Sequence, residues 1–84
     1  MLDVVEKYNK VAKEFAAKYN VDSPHIISII ASVMMTRDGV GLTGGSFVQS
    51  VVDNDLYGTI SRADYECEAN LKVITSANRF AHIN

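Results

Sequence analysis

Apolar residues recur at every third or fourth position near the start of the chain, which is the periodicity of an amphipathic helix. The apolar positions are Val4, Val5, Tyr8, Val11, Ala12, Phe15, Ala16 and Tyr19. Acidic residues precede lysines by four positions elsewhere in this segment, as Glu6 precedes Lys10, and such pairs are typical of an exposed helical face. The pattern predicts a helix over residues 2–19 that buries one face and ends at Asn20.

A second helix is predicted to start at Asp22-Ser23-Pro24, where a capping side chain precedes a proline at the first helical position. The following residues 25–36 contain no Lys, Arg, Asp or Glu and are apolar on nearly every side. A central strand is the alternative, because residues 26–30 are rich in isoleucine, but the proline and the length of the segment favour helix. So small a domain offers little surface to cover such a helix, so we expect a homo-oligomer in which another subunit buries part of it.

The middle of the chain combines turn residues with a third amphipathic pattern. Residues 37–42 contain Asp-Gly and a second glycine, and predict a loop. Thr43 or Ser46 can cap the helix that follows. Its apolar stripe consists of Phe47, Val48, Val51, Val52, Leu56 and Ile60. The pattern leaves open whether this helix continues through Gly58 or breaks there.

A last helix is predicted after a corner at residues 62–64, with Asp64 as its capping residue. Glu66 and Glu68 lie in its first two turns, where carboxylates interact favourably with the helix dipole. Its apolar face consists of Cys67, Leu71, Ile74, Ala77 and Ala81. Together the patterns predict an all-α fold, a compact domain of three to four helices that spans residues 1–84.

Composition narrows the classes of partner. The 84 residues suit one domain, and the 48% of apolar residues argues against disorder. The formal net charge of −2 lacks the basic excess with which proteins bind nucleic acid non-specifically. The sequence shows neither a signal-peptide pattern nor an apolar run of membrane-spanning length, so we expect a cytoplasmic protein with no nucleic-acid or membrane partner.

Residues with catalytic or metal-binding chemistry are few. His25 and His82 have no Cys, Ser or carboxylate partner at the spacing of a known motif. The lone Cys67 cannot form an intrachain disulfide, and its place on an apolar face indicates a small buried side chain. Zinc ligands are not clustered along the sequence. We therefore predict a protein that is not an enzyme and has no cofactor and no metal site.

The turn Thr43-Gly44-Gly45-Ser46 is the strongest candidate for ligand binding. A glycine-rich turn that opens a helix presents backbone N–H groups to a phosphate and lets a ligand approach the backbone closely. Arginine or lysine side chains can balance the charge of a phosphate, and aromatic rings can stack on a base. Lys72 and Arg79 are candidate cations in addition to the arginines named next. The predicted ligand-binding residues are Thr43, Gly44, Gly45, Ser46, Phe47, Arg37, Tyr57 and Arg62. Ordinary helix capping explains the same turn without a ligand.

Residues 53–64 also fit a degenerate calcium loop. Positions one, three, six, eight, nine and twelve of an EF-hand are occupied by Asp53, Asp55, Gly58, Ile60, Ser61 and Asp64. Leu56 and Tyr57 replace polar residues at positions four and five, and an Asp at position twelve is shorter than the usual Glu. The sequence has no second loop to pair with it. We therefore expect that calcium does not order the chain, and that these acids form an exposed helical surface.

The same region resembles a family of small phage-encoded helical proteins. The shared motifs are Thr43-Gly44-Gly45-Ser46-Phe47, Asn54-Asp55-Leu56 and Arg62-Ala63-Asp64. The resemblance implies one continuous helix with a turn at residues 62–64. The chain is similar to a group of oligomeric phage sponges, which sequester the cyclic nucleotides of bacterial anti-phage signalling such as CBASS. The implied function is immune evasion in the host cytoplasm, by binding a small nucleotide ligand without cleaving it.

A phage inhibitor of a host protein is the main alternative from another class. Acidic residues around the last corner outnumber Arg62, and this charge suits a basic partner. These acids are Asp53, Asp55, Asp64, Glu66 and Glu68. A calcium module at residues 53–64 is the third hypothesis.

Overall fold

Helices form all the regular structure in the described part of the chain, which comprises residues 2–41 and 43–80 of the computed structural model. In chain order they are α1 (Leu2–Ala17), α2 (Pro24–Asp38), α3 (Ser46–Val52), α4 (Leu56–Arg62), α5 (Tyr65–Ala69) and α6 (Leu71–Ala77). The two long helices, α1 and α2, pack against each other. α2 also contacts α3 and α6, so it lies at the centre of the fold.

The ends of the long helices follow from local chemistry. Asn20 adopts a left-handed conformation (φ 61°) just beyond α1, which asparagine tolerates better than most residues. Ser23 caps α2, because its Oγ accepts the N–H of Ile26 at 3.3 Å, and Pro24 occupies the first turn. Gly39 (φ 71°) ends α2 with its N–H directed at the carbonyls of the last turn.

Two aspartates start helices in the second half of the chain. The Oδ1 atom of Asp55 accepts the N–H of Gly58 at 3.0 Å at the start of α4. The Oδ1 atom of Asp64 accepts the N–H of Cys67 at 2.7 Å at the start of α5. Between α3 and α4, Asn54 adopts a positive φ of 59°. These caps divide the second half into helices of five to seven residues.

One hydrophobic core joins the long helices to the short ones. Its buried members are Tyr8, Ala12, Phe15, Ala16, Ile26, Ile30, Ala31, Val33, Met34, Val48, Val51, Cys67, Val73, Ile74 and Ala77. The rings of Phe15 and Phe80 pack edge to face with centroids 5.3 Å apart. The end of the described chain is therefore fastened to α1.

A buried polar network joins the end of α2 to α1 and to the end of α6. The hydroxyl of Tyr8 donates to Oδ2 of Asp38 at 2.7 Å, and Nε of Arg37 donates to Oδ1 of the same carboxylate at 2.8 Å. Nη1 of Arg37 donates to the carbonyls of Ala77 and Phe80 at 3.1 and 2.6 Å. Burial, reinforced by the hydrogen bond to Asp38, raises the pKa of Tyr8 to about 12.

The all-α prediction is confirmed for the described residues, but six helices replace the expected three to four. The strand alternative for residues 26–30 is wrong, since they lie inside α2. α2 also includes Arg37 and Asp38, which the sequence assigned to a loop, because buried contacts hold these side chains and Gly39 supplies the left-handed end. The predicted positions Leu42, Ala81 and His82 lie outside the described residues.

The long third helix predicted from the sequence is divided. It breaks at residues 53–55, whereas Gly58 lies inside α4. Asn54 ends α3 in a left-handed conformation and Asp55 caps α4, so the continuous helix implied by the family resemblance does not form. The predicted final helix is divided as well, at Asn70.

The apolar faces of the central and second-half helices differ from expectation. The buried residues of α2 are covered within one chain, while Ile27, Ile29 and Met35 remain half-buried. Leu56 and Ile60, expected in the core, are 67% and 50% exposed. Tyr57 of α4 and Tyr65 at the start of α5 are exposed as well, and we call the set Leu56, Tyr57, Ile60 and Tyr65 the α4 surface. None of the described helices has the length and apolar character needed to cross a membrane.

Candidate functional site

Gly44 is a packing residue at the contact between α2 and α3. A Cβ placed on it would lie 2.6 Å from both Oγ of Ser32 and Cγ1 of Val48. Its N–H donates to Oγ1 of Thr36 at 3.0 Å, and its carbonyl accepts from Nε2 of Gln49 at 2.8 Å. The Gly44 N–H is therefore already engaged within the chain. This glycine permits close helix packing, a role that the sequence did not distinguish from phosphate binding.

Gly45 has the opposite environment. It is the N-cap residue of α3, and a Cβ at this position would meet nothing within 4 Å. The cap of α3 makes no side-chain hydrogen bond to the first backbone N–H groups of the helix. Of the two glycines, Gly45 is the one whose surroundings leave room for a ligand.

The predicted ligand-binding residues are distributed over several places. Thr43 and Gly44 border a cavity of about 370 Å³ between α1 and α2. Ser46 and Arg62 border a different cavity, of about 260 Å³, together with two aspartates. Phe47 is half-buried against the core, and Tyr57 is 86% exposed.

Arg37 belongs to the buried polar network and lies away from the glycine turn. Its Nη1 atom donates to carbonyls at the end of α6, and its guanidinium pairs with Asp38. The side chain is 9% exposed. Arg37 therefore stabilises the fold and does not join the other predicted residues.

Arg62 connects α4 to α3. Its Nη1 atom donates to Oγ of Ser50 at 2.7 Å and lies 3.7 Å from Oδ2 of Asp55. The guanidinium covers Gly58, where a Cβ would meet the ends of the Arg62 and Asp55 side chains. The cavity of about 260 Å³ that Arg62 borders is also lined by Asp53 and Asp55. Its two carboxylates outnumber the guanidinium of Arg62 and disfavour a phosphate there.

The calcium-loop window does not adopt the shape of a binding loop. α4 runs through its middle, and Asp55 and Asp64 are engaged as helix caps. Across the described residues, the acids of this window do not converge into a group of three ligands. The geometry gives the calcium hypothesis no support.

A cavity that the sequence did not single out lies between the α3–α4 segment and the end of α6. Its volume is about 280 Å³, and it is lined by Val51, Asn54, Leu56, Thr59, Thr75, Ser76, Asn78 and Arg79. Nδ2 of Asn78 donates to the carbonyl of Val51 at 3.2 Å. The Oδ1 atom of Asn78 is buried and has no hydrogen-bond partner in the described part of the chain. We call this space the Arg79 cavity.

A second unexpected grouping joins the start of α2 to the start of α5. Nε2 of His25 lies 2.9 Å from Oδ2 of Asp64 and 4.0 Å from Sγ of Cys67. His25 and Asp64 are half exposed, whereas Cys67 is buried. These partners are 39 and 42 positions away from His25, which is why no motif in the sequence indicates them.

The protonation state of this cluster argues against nucleophilic catalysis. Burial, and then the carboxylate of Asp64, raise the pKa of the Cys67 thiol to about 12. A catalytic cysteine needs the opposite shift, toward a thiolate at neutral pH. The pKa of Asp64 is lowered, first by the backbone N–H of Cys67 and then by His25.

Comparison of the chain with models of protein families, with curated proteins and with solved structures gives no match.

Proposed function

We propose that the protein binds and sequesters a small phosphate-bearing ligand of the cyclic-nucleotide class without cleaving it. The observation that carries this proposal is the Arg79 cavity, which combines a cation, two amides and several hydroxyls with an apolar wall. The class of ligand comes from the resemblance of residues 43–64 to phage proteins. Sequestration requires affinity alone, so it needs no nucleophile or general base.

Each wall of the Arg79 cavity suits a part of a nucleotide. The guanidinium of Arg79 presents a planar fork of donors that matches phosphate oxygens. Oδ1 of Asn78 is a buried acceptor, and a buried acceptor without a partner is destabilising. Because this atom is shielded from solvent, the side chain of Asn78 would have to turn toward the cavity for a donor such as the amino group of a nucleobase to reach Oδ1. Val51 and Leu56 provide apolar surface on which a base can pack.

The size of the cavity connects ligand binding to assembly. Its volume of about 280 Å³ is small for a whole cyclic dinucleotide, since sites for ligands of that size commonly reach about 300–1,000 Å³. Leu56 belongs both to the cavity wall and to the exposed α4 surface. A homo-oligomer formed through the α4 surface would bring a second subunit to the mouth of the cavity and enclose the rest of the ligand.

The glycine turn is the alternative position for the phosphate. Gly45 has open space beside it, and the first N–H groups of α3 point away from the helix. Gly45→Asp would set a carboxylate at this position and repel a phosphate. The variant leaves the Arg79 cavity untouched, so it separates the two sites.

The experiment is a thermal-shift series on the full chain with cyclic dinucleotides, cyclic trinucleotides and cyclised ADP-ribose. Linear mononucleotides and calcium chloride serve as controls. A ligand at a hundred times its dissociation constant stabilises the folded state by about 2.7 kcal/mol, and each kcal/mol raises the Tm of so small a domain by about 4–8 °C. We expect one member of the panel to raise the Tm by roughly 10 °C or more.

Three variants locate the site. Arg79→Ala should abolish the shift, whereas the matched variant Lys72→Ala, which removes an exposed cation of α6 outside the cavity, should preserve it. Gly45→Asp should also preserve it. Loss of the shift in Gly45→Asp with retention in Arg79→Ala would move the site to the glycine turn. If no nucleotide shifts the wild-type protein, sequestration is wrong.

Inhibition of a host protein is the second candidate, and the α4 surface is the observation that favours it. Leu56 is 67% exposed, Tyr57 is 86% exposed and Tyr65 is 90% exposed. Exposed aromatic and aliphatic side chains of this kind are enriched at protein interfaces. This candidate becomes the better one if the wild-type protein binds no nucleotide and remains monomeric.

A further inference from the structure

We propose that His25, Asp64 and Cys67 form a binding site for a single Zn²⁺ ion, with a water molecule as the fourth ligand. The ligand atoms are Nε2 of His25, a carboxylate oxygen of Asp64 and Sγ of Cys67. All of them lie within 4.8 Å of one another, and residues 2–41 and 43–80 contain no other group of three such ligands.

The separations are close to those of a tetrahedral zinc centre. Zinc lies about 2.0–2.2 Å from nitrogen and oxygen ligands and about 2.3 Å from sulfur, which places tetrahedral ligands about 3.4–3.6 Å apart. The observed distance from His25 Nε2 to Asp64 Oδ2 is 2.9 Å, and that from Nε2 to Cys67 Sγ is 4.0 Å. Changes of about half an ångström bring these two distances to the separations that zinc requires, and the third, from the Asp64 carboxylate to Cys67 Sγ, would have to close to the same range from within 4.8 Å.

Helix starts hold the ligands in place. Asp64 has its Oδ1 atom fixed by the N–H of Cys67 at 2.7 Å, which leaves Oδ2 directed at His25. Cys67 is anchored in the core at 2% exposure, and His25 follows the rigid Pro24 in the first turn of α2. A backbone N–H that orients a ligating carboxylate is the kind of outer contact that metal sites use.

The donor set selects the metal. A thiolate and an imidazole suit Zn²⁺ and disfavour Ca²⁺ and Mg²⁺, which require oxygen ligands. Three protein ligands with a fourth position open to water is the arrangement of an accessible zinc site. The exposed halves of His25 and Asp64 let the ion enter from solvent. On binding, the Zn–S bond forms as the thiol proton of Cys67 is released to solvent.

The ion would link two distant parts of the chain. His25 lies at the start of α2, and Asp64 and Cys67 lie at the start of α5. A hydrogen bond of 2.6 Å from Oγ of Ser23 to Oε2 of Glu66 already joins the same two segments. Zinc would add coordinate bonds between these segments beside that hydrogen bond, and the folded state would gain stability from the ion.

The test uses the full chain, chelator-treated and kept reduced, with Zn²⁺ in titration calorimetry and Co²⁺ as a spectroscopic probe. We expect one Zn²⁺ per chain at micromolar affinity or better. Tetrahedral Co²⁺ should give intense d–d bands together with a thiolate-to-cobalt charge-transfer band. Absence of stoichiometric binding at micromolar concentration would overturn the proposal.

Variants assign the ligands. Cys67→Ala should remove the charge-transfer band, and His25→Ala should weaken Zn²⁺ binding by about tenfold or more. Asp64→Asn keeps a capping side chain on α5 and loses the anionic ligand, so it should weaken binding as well. Asp55→Asn makes the same change at the cap of α4 and should leave binding unchanged.

Circular dichroism of each variant keeps this assignment falsifiable. If Cys67→Ala fails to fold, the exposed residues His25 and Asp64 still decide the question. A charge-transfer band that persists in Cys67→Ala, or equal affinity in His25→Ala and wild type, would place the ion elsewhere and refute the site.

Discussion

The adjacent glycines of the 43–46 turn offer a sharp test of the packing argument, because one is enclosed and the other is open. In Gly44→Ala the new Cβ would lie 2.6 Å from Oγ of Ser32 and 2.8 Å from Cβ of Val48. The serine hydroxyl can rotate away, but the Val48 Cβ is fixed to the backbone of α3. Accommodation therefore requires α3 to move, and such overpacking costs about 1–3 kcal/mol.

Gly45→Ala is the matched control. Its backbone (φ −68°, ψ −175°) suits any residue, and its Cβ would meet nothing within 4 Å. Replacing a glycine by alanine stabilises the folded state by about 0.4–1 kcal/mol, because it lowers the conformational entropy of the unfolded chain. Alanine is also a poorer N-cap residue than glycine, which costs a similar free energy, so the net change in stability should be small. The favourable unfolded-state effect applies equally to Gly44, and the difference between the variants therefore equals the steric cost at Gly44 less the N-cap loss at Gly45.

Thermal and urea denaturation measure this difference. A cost of 1–3 kcal/mol corresponds to a Tm lowered by roughly 4 °C to more than 20 °C in a domain of this size, whereas Gly45→Ala should melt close to wild type. Gly45→Ala should also retain the wild-type urea dependence. If the two variants melt within about 2 °C of each other, the close approach of α3 to α2 at Gly44 is wrong.

Two further outcomes follow from the polar network and the α4 surface. Tyr8→Phe removes a donor to the Asp38 carboxylate, which is 1% exposed, and should destabilise the fold by about 1–3 kcal/mol at pH 7. Because the pKa of Tyr8 is raised from 10.0 to about 12, the wild type should lose stability as the pH rises between these two values. The stability of Tyr8→Phe should change less over the same range, and identical alkaline profiles of the two proteins would contradict the assignment. If the protein is a homo-oligomer, Leu56→Ser should dissociate it, as measured by sedimentation velocity, whereas the control Lys10→Ser, at another exposed position, should not. A wild-type protein that sediments as a monomer at micromolar concentration would remove the case for assembly.

The features that the sequence predicted well depend on neighbours within a few positions. Ser23 and Asp64 cap helices as expected, and Asn20 ends α1. The two caps join a side chain to a backbone N–H three residues on, and Asn20 acts through its own backbone conformation, so no knowledge of the rest of the fold is needed.

The features that it missed depend on the path of the chain. A periodic pattern shows that Leu56 and Ile60 share a face, but it does not show whether another helix covers that face. His25 and Cys67 are 42 positions apart, so their proximity requires α2 and α5 to meet. Asp53 and Asp55 fit a calcium loop in the sequence, but together with Asn54, which adopts a positive φ, they are equally a signal for a helix break.

The shortness of the last four helices has a consequence for the order in which the chain acquires structure. Each has five to seven residues, well below the roughly 12–15 that an isolated helix needs to persist in water. We therefore expect the α1–α2 hairpin, with helices of 16 and 15 residues, to form first and to support assembly of the second half. Both the Arg79 cavity and the zinc cluster draw residues from these dependent segments. The geometry of both sites therefore depends on the hairpin. A substitution in the interior of α1 or α2 should alter both sites without contacting either.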